Sequence, residues 1–226
     1  YWFKSAPGHE GIHGVYTGRL GLDMAHACRV ICAAVRTGLA QRPDLYGRLC
    51  VHFIGTDYAS GSLARPTIAP IAMEAGLNGS IREHPHRVPY FTALRLQQEA
   101  DFLLVPGSVD PAYTASKIYP LILARRPLIA VFHEDSSVVG VLRSTGAGQV
   151  VTFRTAEDAD MLSQRLFRAW TSLLEKLPFL AMSVAMAAVA FLTLSHVISS
   201  VAAYGPLPRI LQRQHAPLVQ VSIGRA

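Results

Sequence analysis

The chain has 226 residues, of which about half are hydrophobic, and its formal net charge is +6 at pH 7. This length and composition indicate a globular chain with one large domain, alone or with an appendage. The basic residues are scattered and form no run longer than Arg125-Arg126, so the charge does not favour a nucleic-acid partner and leaves anionic small ligands open.

The three cysteines, Cys28, Cys32 and Cys50, lie in apolar surroundings, and their odd number argues against a disulfide framework. A reducing, cytoplasmic location fits them best. Cys28 and Cys32 are one helical turn apart and could share a metal ion, but such a pair on an apolar helix is more typical of core packing. We therefore predict no metal and no cofactor.

Residues 1–14 are predicted to be a linker. They contain His9-Glu10-x-x-His13, which matches the zinc-protease pattern, but that pattern requires a helix and the surrounding Pro7, Gly8, Gly11 and Gly14 favour turns. The segment has no apolar core typical of a signal peptide and no initiating methionine, so we expect the chain to begin inside a longer polypeptide.

The first predicted strand, Val15 to Thr17, is followed by the glycine turn Gly18-Arg19-Leu20-Gly21 and by a helix to about Leu39 that Asp23 can cap. Strand, glycine turn and helix in this order are typical of phosphate sites, although glycines also serve simply to turn a chain. The guanidinium of Arg19 could pair with a phosphate through two hydrogen bonds.

Strands and helices alternate through the rest of the first 176 residues. The predicted strands are Leu49 to Ile54, Ser80 to Arg82, Phe102 to Val105, Leu128 to Phe132 and Gln149 to Phe153. The predicted helices are Thr67 to Ala75, Pro89 to Glu99, one that opens near Tyr113, Val138 to Ser144 and Glu157 to Lys176. This alternation predicts a doubly wound, mostly parallel α/β sheet, and residues 15–176 are expected to form one Rossmann-like domain.

The loop after strand Phe102 to Val105 is the central candidate site. It lies at the carboxyl edge of a parallel sheet, where open α/β folds bind ligands, and it carries Ser108, Tyr113, Ser116 and Lys117. Their hydroxyl and ammonium groups suit an anion, most simply a phosphate. The alternative is that Ser116 only helps a helix to start and that Lys117 is a solvated charge.

Residues 177–226 are predicted to be an apolar helix followed by a loose tail. No Asp, Glu, Lys or Arg lies between Leu177 and Pro208, and residues 177–194 are apolar over a length that could cross a bilayer. A membrane tail, a helix buried against a missing domain, and altered coding sequence all remain open. We expect membrane contact through residues 177–205, as a peripheral or tail-anchored protein at the inner membrane.

Several stretches resemble the C-terminal half of GT-B glycosyltransferases of the large GT4-like and GT1-like groups. They are VYTGRLGLDMAHA at the first strand, LCVHFIGTDYA at the second, HPHRVPYFTAL before the central unit, and ADFLLVPGSVDPAYTASKIYPLILARRPLIAVF with the SSVVGVL helix after it. The resemblance covers about 60% of the chain. It implies a nucleotide-sugar donor linked to UDP, GDP or ADP, an N-terminal GT-B domain missing from this chain, and an unknown acceptor.

The resemblance also implies roles for individual residues. Arg19 and, more loosely, Lys117 map to the basic residues that hold the donor diphosphate. The other implied diphosphate or sugar contacts are Gly18, Gly21, Ser108, Tyr113 and Ser116. The ribose or base contacts implied are Thr56, Tyr58, Tyr119 and Glu134. Many members place a glutamate in the helix of the central unit, and this chain has Lys117-Ile118-Tyr119-Pro120 there, with no acid until Glu134.

Three functions follow as hypotheses. The first is the donor domain of a glycosyltransferase. The second is a sugar-nucleotide epimerase or a phosphorylase relative on the same fold, which would require more acid and base residues. The third is a non-catalytic or membrane-associated binding module that keeps the fold without the chemistry.

Overall fold

A sheet of six parallel strands lies at the centre of the described part of the chain, which comprises residues 11–59, 63–154 and 159–203 of a computed structural model. The strands are β1 (Ile12–Thr17), β2 (Leu49–Ile54), β3 (Ile81–His84), β4 (Phe102–Pro106), β5 (Leu128–His133) and β6 (Gln149–Phe153). Their order is β3-β2-β1-β4-β5-β6. The strand order therefore reverses between β1 and β4 while all strands remain parallel, and ligands of such sheets bind at this switch point.

Helices connect the strands. They are α1 (Ala25–Gln41), α2 (Pro43–Tyr46), α3 (Ile68–Glu74), α4 (Tyr90–Glu99), α5 (Ile118–Leu123), α6 (Ser137–Thr145) and α7 (Ala159–Ala203), with a short 3-10 turn at Leu22–Met24 before α1. This architecture confirms the predicted doubly wound, Rossmann-like α/β fold. The structure contains one short helix, α2, that was not predicted from the sequence.

The four inner strands are buried on both faces. Every residue of β2, β4 and β5 is buried, and so are five of the six residues of β1, whereas β3 and β6 at the two edges are partly exposed. Continuous runs of apolar residues such as LLVP and LIAVF form these strands because helices cover both sides of a parallel sheet. β2 has the bounds that the sequence predicted, and so does β6 although it lies at an edge of the sheet and is only partly buried.

The start of α7 packs into the same core. Trp170 is fully buried, with its ring edge-to-face against Phe102 of β4 at 5.5 Å between centroids. The Phe102 ring in turn lies over Gly14 of β1, where any side chain would collide with it. Gly14 is therefore required by close packing, and β1 begins at Ile12, three residues before the predicted strand and inside the predicted linker.

The chain separates into two compact units, Tyr1–Leu177 and Pro178–Ala226. The predicted helix end near Lys176 is wrong, because α7 runs from Ala159 to Ala203 with Pro178 inside it. Residues 177–194 are rich in alanine, leucine and methionine, which are strong helix formers, and this composition favours continuation past Lys176.

Within the part of the chain that the structure describes, no helix is long and apolar enough to cross a membrane. The membrane contact expected of residues 177–205 stays a prediction.

Two further expectations concern metal patterns. Cys28 and Cys32 are both buried in the core on α1, and burial raises the pKa of both thiols, that of Cys32 to about 12. His13 of the His9-Glu10-x-x-His13 pattern lies in β1, whereas His9 and Glu10 fall outside the described residues. A strand at His13 excludes the helical geometry that the protease pattern needs.

Candidate functional site

A recess of about 430 Å³ opens at the carboxyl ends of β1 and β2, and cavities of this volume typically hold small molecules. It is bounded by the glycine turn after β1, by Gly55 after β2, by α4 and by the start of α5. The lining residues are Thr17, Gly18, Arg19, Ile54, Gly55, Tyr58, Arg87, Val88, Tyr90, Ala93, Leu94, Gln97, Lys117 and Pro120. Four of the residues predicted from the sequence, Gly18, Arg19, Tyr58 and Lys117, are among them.

Lys117 reaches the glycine turn from the loop after β4. Its Nζ lies 3.1 Å from the hydroxyl of Tyr16, and a side chain at Gly18 would collide with it. Gly18 has φ of +138°, a backbone conformation that side chains disfavour, so only glycine suits this position. Burial lowers the pKa of Lys117 to about 8, and the positive charges of Arg19 and Arg87 act in the same direction.

Tyr16 connects the glycine turn to Lys117 through hydrogen bonds. It is fully buried, and its hydroxyl donates to the carbonyl of Arg19 at 2.6 Å while the ammonium of Lys117 donates to it. Burial keeps the pKa of Tyr16 well above its ordinary value, so the phenol stays neutral. The turn and the lysine are thus joined through one uncharged side chain.

Arg19 does not extend freely into the recess. Its Nη1 and Nη2 each lie 3.0 Å from a carboxylate oxygen of Asp23, and its side chain is 30% exposed. Burial raises the pKa of Asp23, but hydrogen bonds from Arg19 and Ser108 outweigh that effect and leave the pKa below its ordinary value. The prediction that Asp23 caps the helix is wrong, because its carboxylate is held by Arg19 and the helix begins without a side-chain cap.

Gly21 lies next to the ion pair between Arg19 and Asp23. A side chain there would collide with Arg19 and Asp23, so the glycine leaves room for their contact. Gly21 does not line the recess.

The loop after β4 is organised by turns and does not present its hydroxyls to the recess. Ser108 is buried, its Oγ accepts from the backbone N–H of Asp110 at 3.0 Å, and the carboxylate of Asp110 accepts from that of Ala112 at 2.9 Å. These two local bonds compete with a helix. For this reason α5 begins at Ile118 and not near Tyr113 as predicted.

Three other predicted contacts in this region lie outside the recess. The carbonyl of Tyr113 accepts from Ser136 at 3.1 Å, which ties the loop to the start of α6. Ser116 is exposed at the turn before α5, and Tyr119 is 55% exposed on α5.

Thr56 and Glu134 also differ from their predicted roles as ribose or base contacts. Thr56 is buried and donates to the carboxylate of Glu83 at 2.6 Å. Glu134 pairs with Arg154 beyond the ends of β5 and β6. Neither lines the recess, because each side chain is held by a neighbour within the fold.

Glu83 is an organising residue that the sequence reading missed. Besides the hydroxyl of Thr56, its carboxylate accepts from the backbone N–H groups of Thr67, Ile68 and Ala69 at 2.7 to 3.0 Å. It therefore caps α3 from the edge strand and fixes the chain after β2, the part that forms one wall of the recess.

Two further residues of the recess, Arg87 and Gln97, were not singled out from the sequence. The guanidinium of Arg87 lies 4.1 Å from the ring centre of Tyr58, a cation–π contact. Gln97 of α4 is buried and donates to Thr17 at 2.6 Å, while its Oε1 has no hydrogen-bond partner among the described residues. Arg87 lies in HPHRVPYFTAL, one of the stretches that resemble the glycosyltransferases, so the sequence already indicated that this region contributes to the site.

The charged side chains that line the recess are all positive. Its lining contains three cationic side chains, those of Arg19, Arg87 and Lys117, and no acidic one among the described residues. Asp23, which lies outside the lining, pairs with Arg19, so Lys117 and Arg87 supply most of the net positive charge. This charge favours an anionic ligand, and a cleft focuses its field.

Comparisons with solved structures identify the fold. A glycosyltransferase from Rickettsia africae ESF-5 matches with a TM-score of 0.52 and 14% identity over 79% of this chain and 43% of its own. A UDP-forming α,α-trehalose-phosphate synthase from Burkholderia xenovorans matches with a TM-score of 0.51 and 14% identity over 75% of this chain and 39% of its own. The chain thus spans well under half the length of these two proteins.

A third structure is a single domain. The C-terminal domain of a glycosyl transferase group 1 family protein (LpcC) from Francisella tularensis matches with a TM-score of 0.50 and 11% identity, over 74% of this chain and 80% of its own. No protein-family model and no curated protein matches the sequence. The structural matches show that the chain has the fold of one half of a GT-B glycosyltransferase, as its resemblance implied.

Proposed function

We propose that this chain is the donor-binding half of a cytoplasmic GT-B glycosyltransferase and that its recess holds the diphosphate of a nucleotide-sugar. The observation that carries the proposal is the position of Lys117, whose Nζ lies against Gly18 at the carboxyl end of β1, between Arg19 and Arg87. The fold supports it, because the solved structures that share this fold include glycosyltransferases.

The chemistry assigned to these residues is stabilisation of the leaving group. Transfer of a glycosyl unit releases a nucleoside diphosphate, and positive charge fixed where that negative charge develops lowers the barrier. Lys117 and Arg87 supply such charge within the recess. Arg19 contributes once a phosphate competes with Asp23 for its guanidinium, which forms paired hydrogen bonds with either group.

The nucleoside is assigned to the wall formed by Tyr58, Arg87 and Gln97. An aromatic ring with a guanidinium over it offers a flat surface for a base, and the Oε1 of Gln97 can accept a hydrogen bond from a base N–H or a ribose hydroxyl. The acceptor site belongs to the missing N-terminal GT-B domain in this proposal, and the acceptor itself is unassigned.

Calorimetric titration with UDP, GDP and ADP tests the donor site. UDP comes first, since one of the similar structures is a UDP-forming synthase. We expect one diphosphate to bind, and we expect Lys117→Ala and Arg19→Ala each to weaken it by about 1.5 to 3 kcal/mol, roughly 10- to 150-fold, because charge-assisted hydrogen bonds are lost.

Lys176→Ala is the matched control for this titration. Lys176 is an exposed lysine on α7 that does not line the recess, so its replacement should leave the affinity unchanged. Equal affinities of the unaltered chain and Lys117→Ala would contradict the diphosphate assignment. Binding of none of the three diphosphates would favour the non-catalytic module instead.

The affinity for the diphosphate should also depend on pH in a defined direction. Because the pKa of Lys117 is about 8 in the free chain, the ammonium is charged below that pH and loses its proton above it. We expect a nearly constant dissociation constant between pH 7 and 7.5, where the diphosphate is already largely ionised, followed by a rise of up to about tenfold per pH unit above 8. Titrations at several pH values measure this profile.

Lys117→Arg separates the charge of this residue from other effects of pH. A guanidinium stays protonated throughout this range, so the variant should show a flat profile. A profile for Lys117→Arg as steep as that of the unaltered chain would show that another group titrates.

A further inference from the structure

A second cluster of ligand-forming side chains lies in the sheet, away from the strand ends that form the recess. His13, Cys50 and His52 each offer one ligand atom, and these three atoms all lie within 4.8 Å of one another. All three residues are buried, with exposures of 3%, 8% and 2%. The sequence placed His13 only in the His9-Glu10-x-x-His13 pattern and did not group it with Cys50 or His52.

The register of the strands brings the cluster together. In the parallel pair of β1 and β2, His13 is opposite Cys50, and Val15 is opposite His52. Residues that alternate along a strand share a face, so His13, Cys50 and His52 all point to one side of the sheet. The inner sheet, with its core on both sides, therefore holds the donors in place on two adjacent strands.

We propose that His13, Cys50 and His52 form a binding site for a zinc-type divalent cation. The Nδ1 of His13 lies 3.2 Å from the Nε2 of His52. Two nitrogens that bind one tetrahedral Zn²⁺ at about 2.0 to 2.1 Å are separated by about 3.3 Å, so this pair is already spaced as ligands. A sulfur ligand would lie about 3.6 Å from each nitrogen, and the thiol of Cys50 lies within 4.8 Å of both imidazoles, so metal binding draws it toward them.

The chemistry of the donors selects the ion. Two imidazoles and one thiolate suit zinc and similar borderline metals, whereas Mg²⁺ and Ca²⁺ prefer oxygen ligands. Binding displaces the proton of the Cys50 thiol and replaces the hydrogen bond between the two imidazoles, both of which stay neutral. Three protein ligands leave a fourth position for water or for His84, whose ring stacks on that of His52 at 6.2 Å between centroids.

The site is distinct from the recess. Along β1, His13 is four residues before Thr17, which lines the recess, and this corresponds to about 13 Å of strand. The metal would join β1 to β2 across the middle of the sheet. A structural role for the ion follows from this position, since the recess lies at the strand ends.

Titration of the full chain with Co²⁺, a spectroscopic substitute for zinc, tests the proposal in the presence of a reductant that is not a thiol. We expect one Co²⁺ per chain, with a thiolate-to-cobalt charge-transfer band and the intense visible bands of tetrahedral cobalt, and displacement of both by Zn²⁺. Cys50→Ser should lose the charge-transfer band. His52→Gln should weaken binding by more than the roughly 10- to 100-fold seen when an outer partner of a metal ligand is lost.

Cys32→Ser is the matched control, because Cys32 is also a buried thiol but lies on α1, outside the cluster. It should keep the charge-transfer band. A band that survives in Cys50→Ser and disappears in Cys32→Ser would place the metal at the α1 cysteines and overturn the proposal. Absence of a band in the unaltered chain would show that the three side chains do not bind a metal, which also overturns the proposal.

A measurement on the unaltered chain covers the case in which a variant does not fold. Cys50 is the most exposed of the three thiols, at 8% against 0% for Cys28 and 2% for Cys32. We expect Zn²⁺ to slow its alkylation, read by mass spectrometry of the peptide that contains it. An alkylation rate of Cys50 that Zn²⁺ leaves unchanged contradicts the proposal.

Discussion

Lys117→Met is expected to give a chain that is more stable than the original at pH 7 and that binds a nucleoside diphosphate at least tenfold more weakly. The ammonium of Lys117 is held in a partly buried position beside the charges of Arg19 and Arg87, and these conditions lower its pKa to about 8. A charge that is disfavoured in the folded state destabilises that state. Methionine keeps the length and apolar stem of the side chain and removes the charge.

The expected gain follows from the difference in pKa between the unfolded and folded chain. A shift of one pKa unit corresponds to about 1.4 kcal/mol, and some exposure of the side chain reduces the effect, so we expect about 1 to 3 kcal/mol. The loss of the bond to Tyr16 costs little, because that hydroxyl still donates to the carbonyl of Arg19. Diphosphate affinity should fall at least tenfold, as its closest cation is gone.

The sign of the pH dependence gives an independent check. Between pH 8 and about 10.5 the unfolded chain retains a proton on Lys117 that the folded chain has lost, so the stability attributable to this residue rises with pH. The advantage of Lys117→Met should be full below pH 8 and should vanish above about 10.5. Urea unfolding at pH 7 and pH 10 measures both values.

Lys176→Met is the control for general effects of removing a lysine, since Lys176 is exposed. Its stability should change by less than about 0.5 kcal/mol. A Lys117→Met chain that is less stable at pH 7 than the original would show that the ammonium contributes more through its contacts than it loses through burial. Such a result would remove the basis for treating Lys117 as a cation held ready for a ligand.

The fold and most strands could be predicted from the sequence, because β4 and β5 are nearly continuous apolar runs between turn residues. The first half of β1 was missed, because His13 and Gly14 interrupt its apolar pattern. The start of α5 could not be predicted. The residues from Tyr113 to Lys117 do not exclude a helix, and the competing bonds of Ser108 and Asp110 depend on how the loop closes. The predicted helix end near Lys176 is also wrong, because α7 continues through Pro178 to Ala203.

Part of the candidate site was predictable for a similar reason. Gly18, Arg19 and Tyr58 follow directly after strands, and residues there meet at one edge of a parallel sheet. Arg87 follows the end of β3 by three residues and lies at this edge for the same reason. Gln97 reaches the edge only because α4, in the crossover from β3 to β4, packs back against β1. That placement depends on the strand order, which the sequence does not state.

The partner of Arg19 shows another limit of the sequence. A basic residue in a glycine turn suggests a phosphate contact, but Asp23 lies four residues later and takes both guanidinium nitrogens. Spacing alone allows Asp23 to cap a helix or to pair with Arg19. Only the three-dimensional path of the turn, with Gly21 leaving room for the pair, distinguishes the two roles.

Glu83→Gln is expected to destabilise the chain by about 2 to 4 kcal/mol, although the substitution changes no apolar contact. The carboxylate of Glu83 accepts from the hydroxyl of Thr56 and from the first backbone N–H groups at the start of α3. An amide keeps one acceptor oxygen and turns an N–H₂ group toward donors. Hydrogen bonds to charged groups contribute about 1.5 to 3 kcal/mol, and a buried donor left without an acceptor adds to the loss.

The region that Glu83→Gln destabilises distinguishes the capping of α3 by Glu83 from a general effect of removing a charge. Glu83 joins the chain after β2 to the start of α3, so hydrogen exchange at Thr67, Ile68 and Ala69 should accelerate more than in the strands β4 and β5. Diphosphate affinity should fall as well, because the wall of the recess at Gly55 and Tyr58 follows β2 directly and loses its anchor.

Glu99→Gln is the matched control, since Glu99 pairs with Arg95 at the surface of α4. An exposed pair of this kind contributes about 0.3 to 0.5 kcal/mol, so the variant should unfold at nearly the same urea concentration as the original. If Glu83→Gln shifted the unfolding midpoint no more than Glu99→Gln, the bonds of Glu83 would be replaceable by water. Gly55 and the backbone after β2, and not the carboxylate of Glu83, would then determine the shape of that wall of the recess.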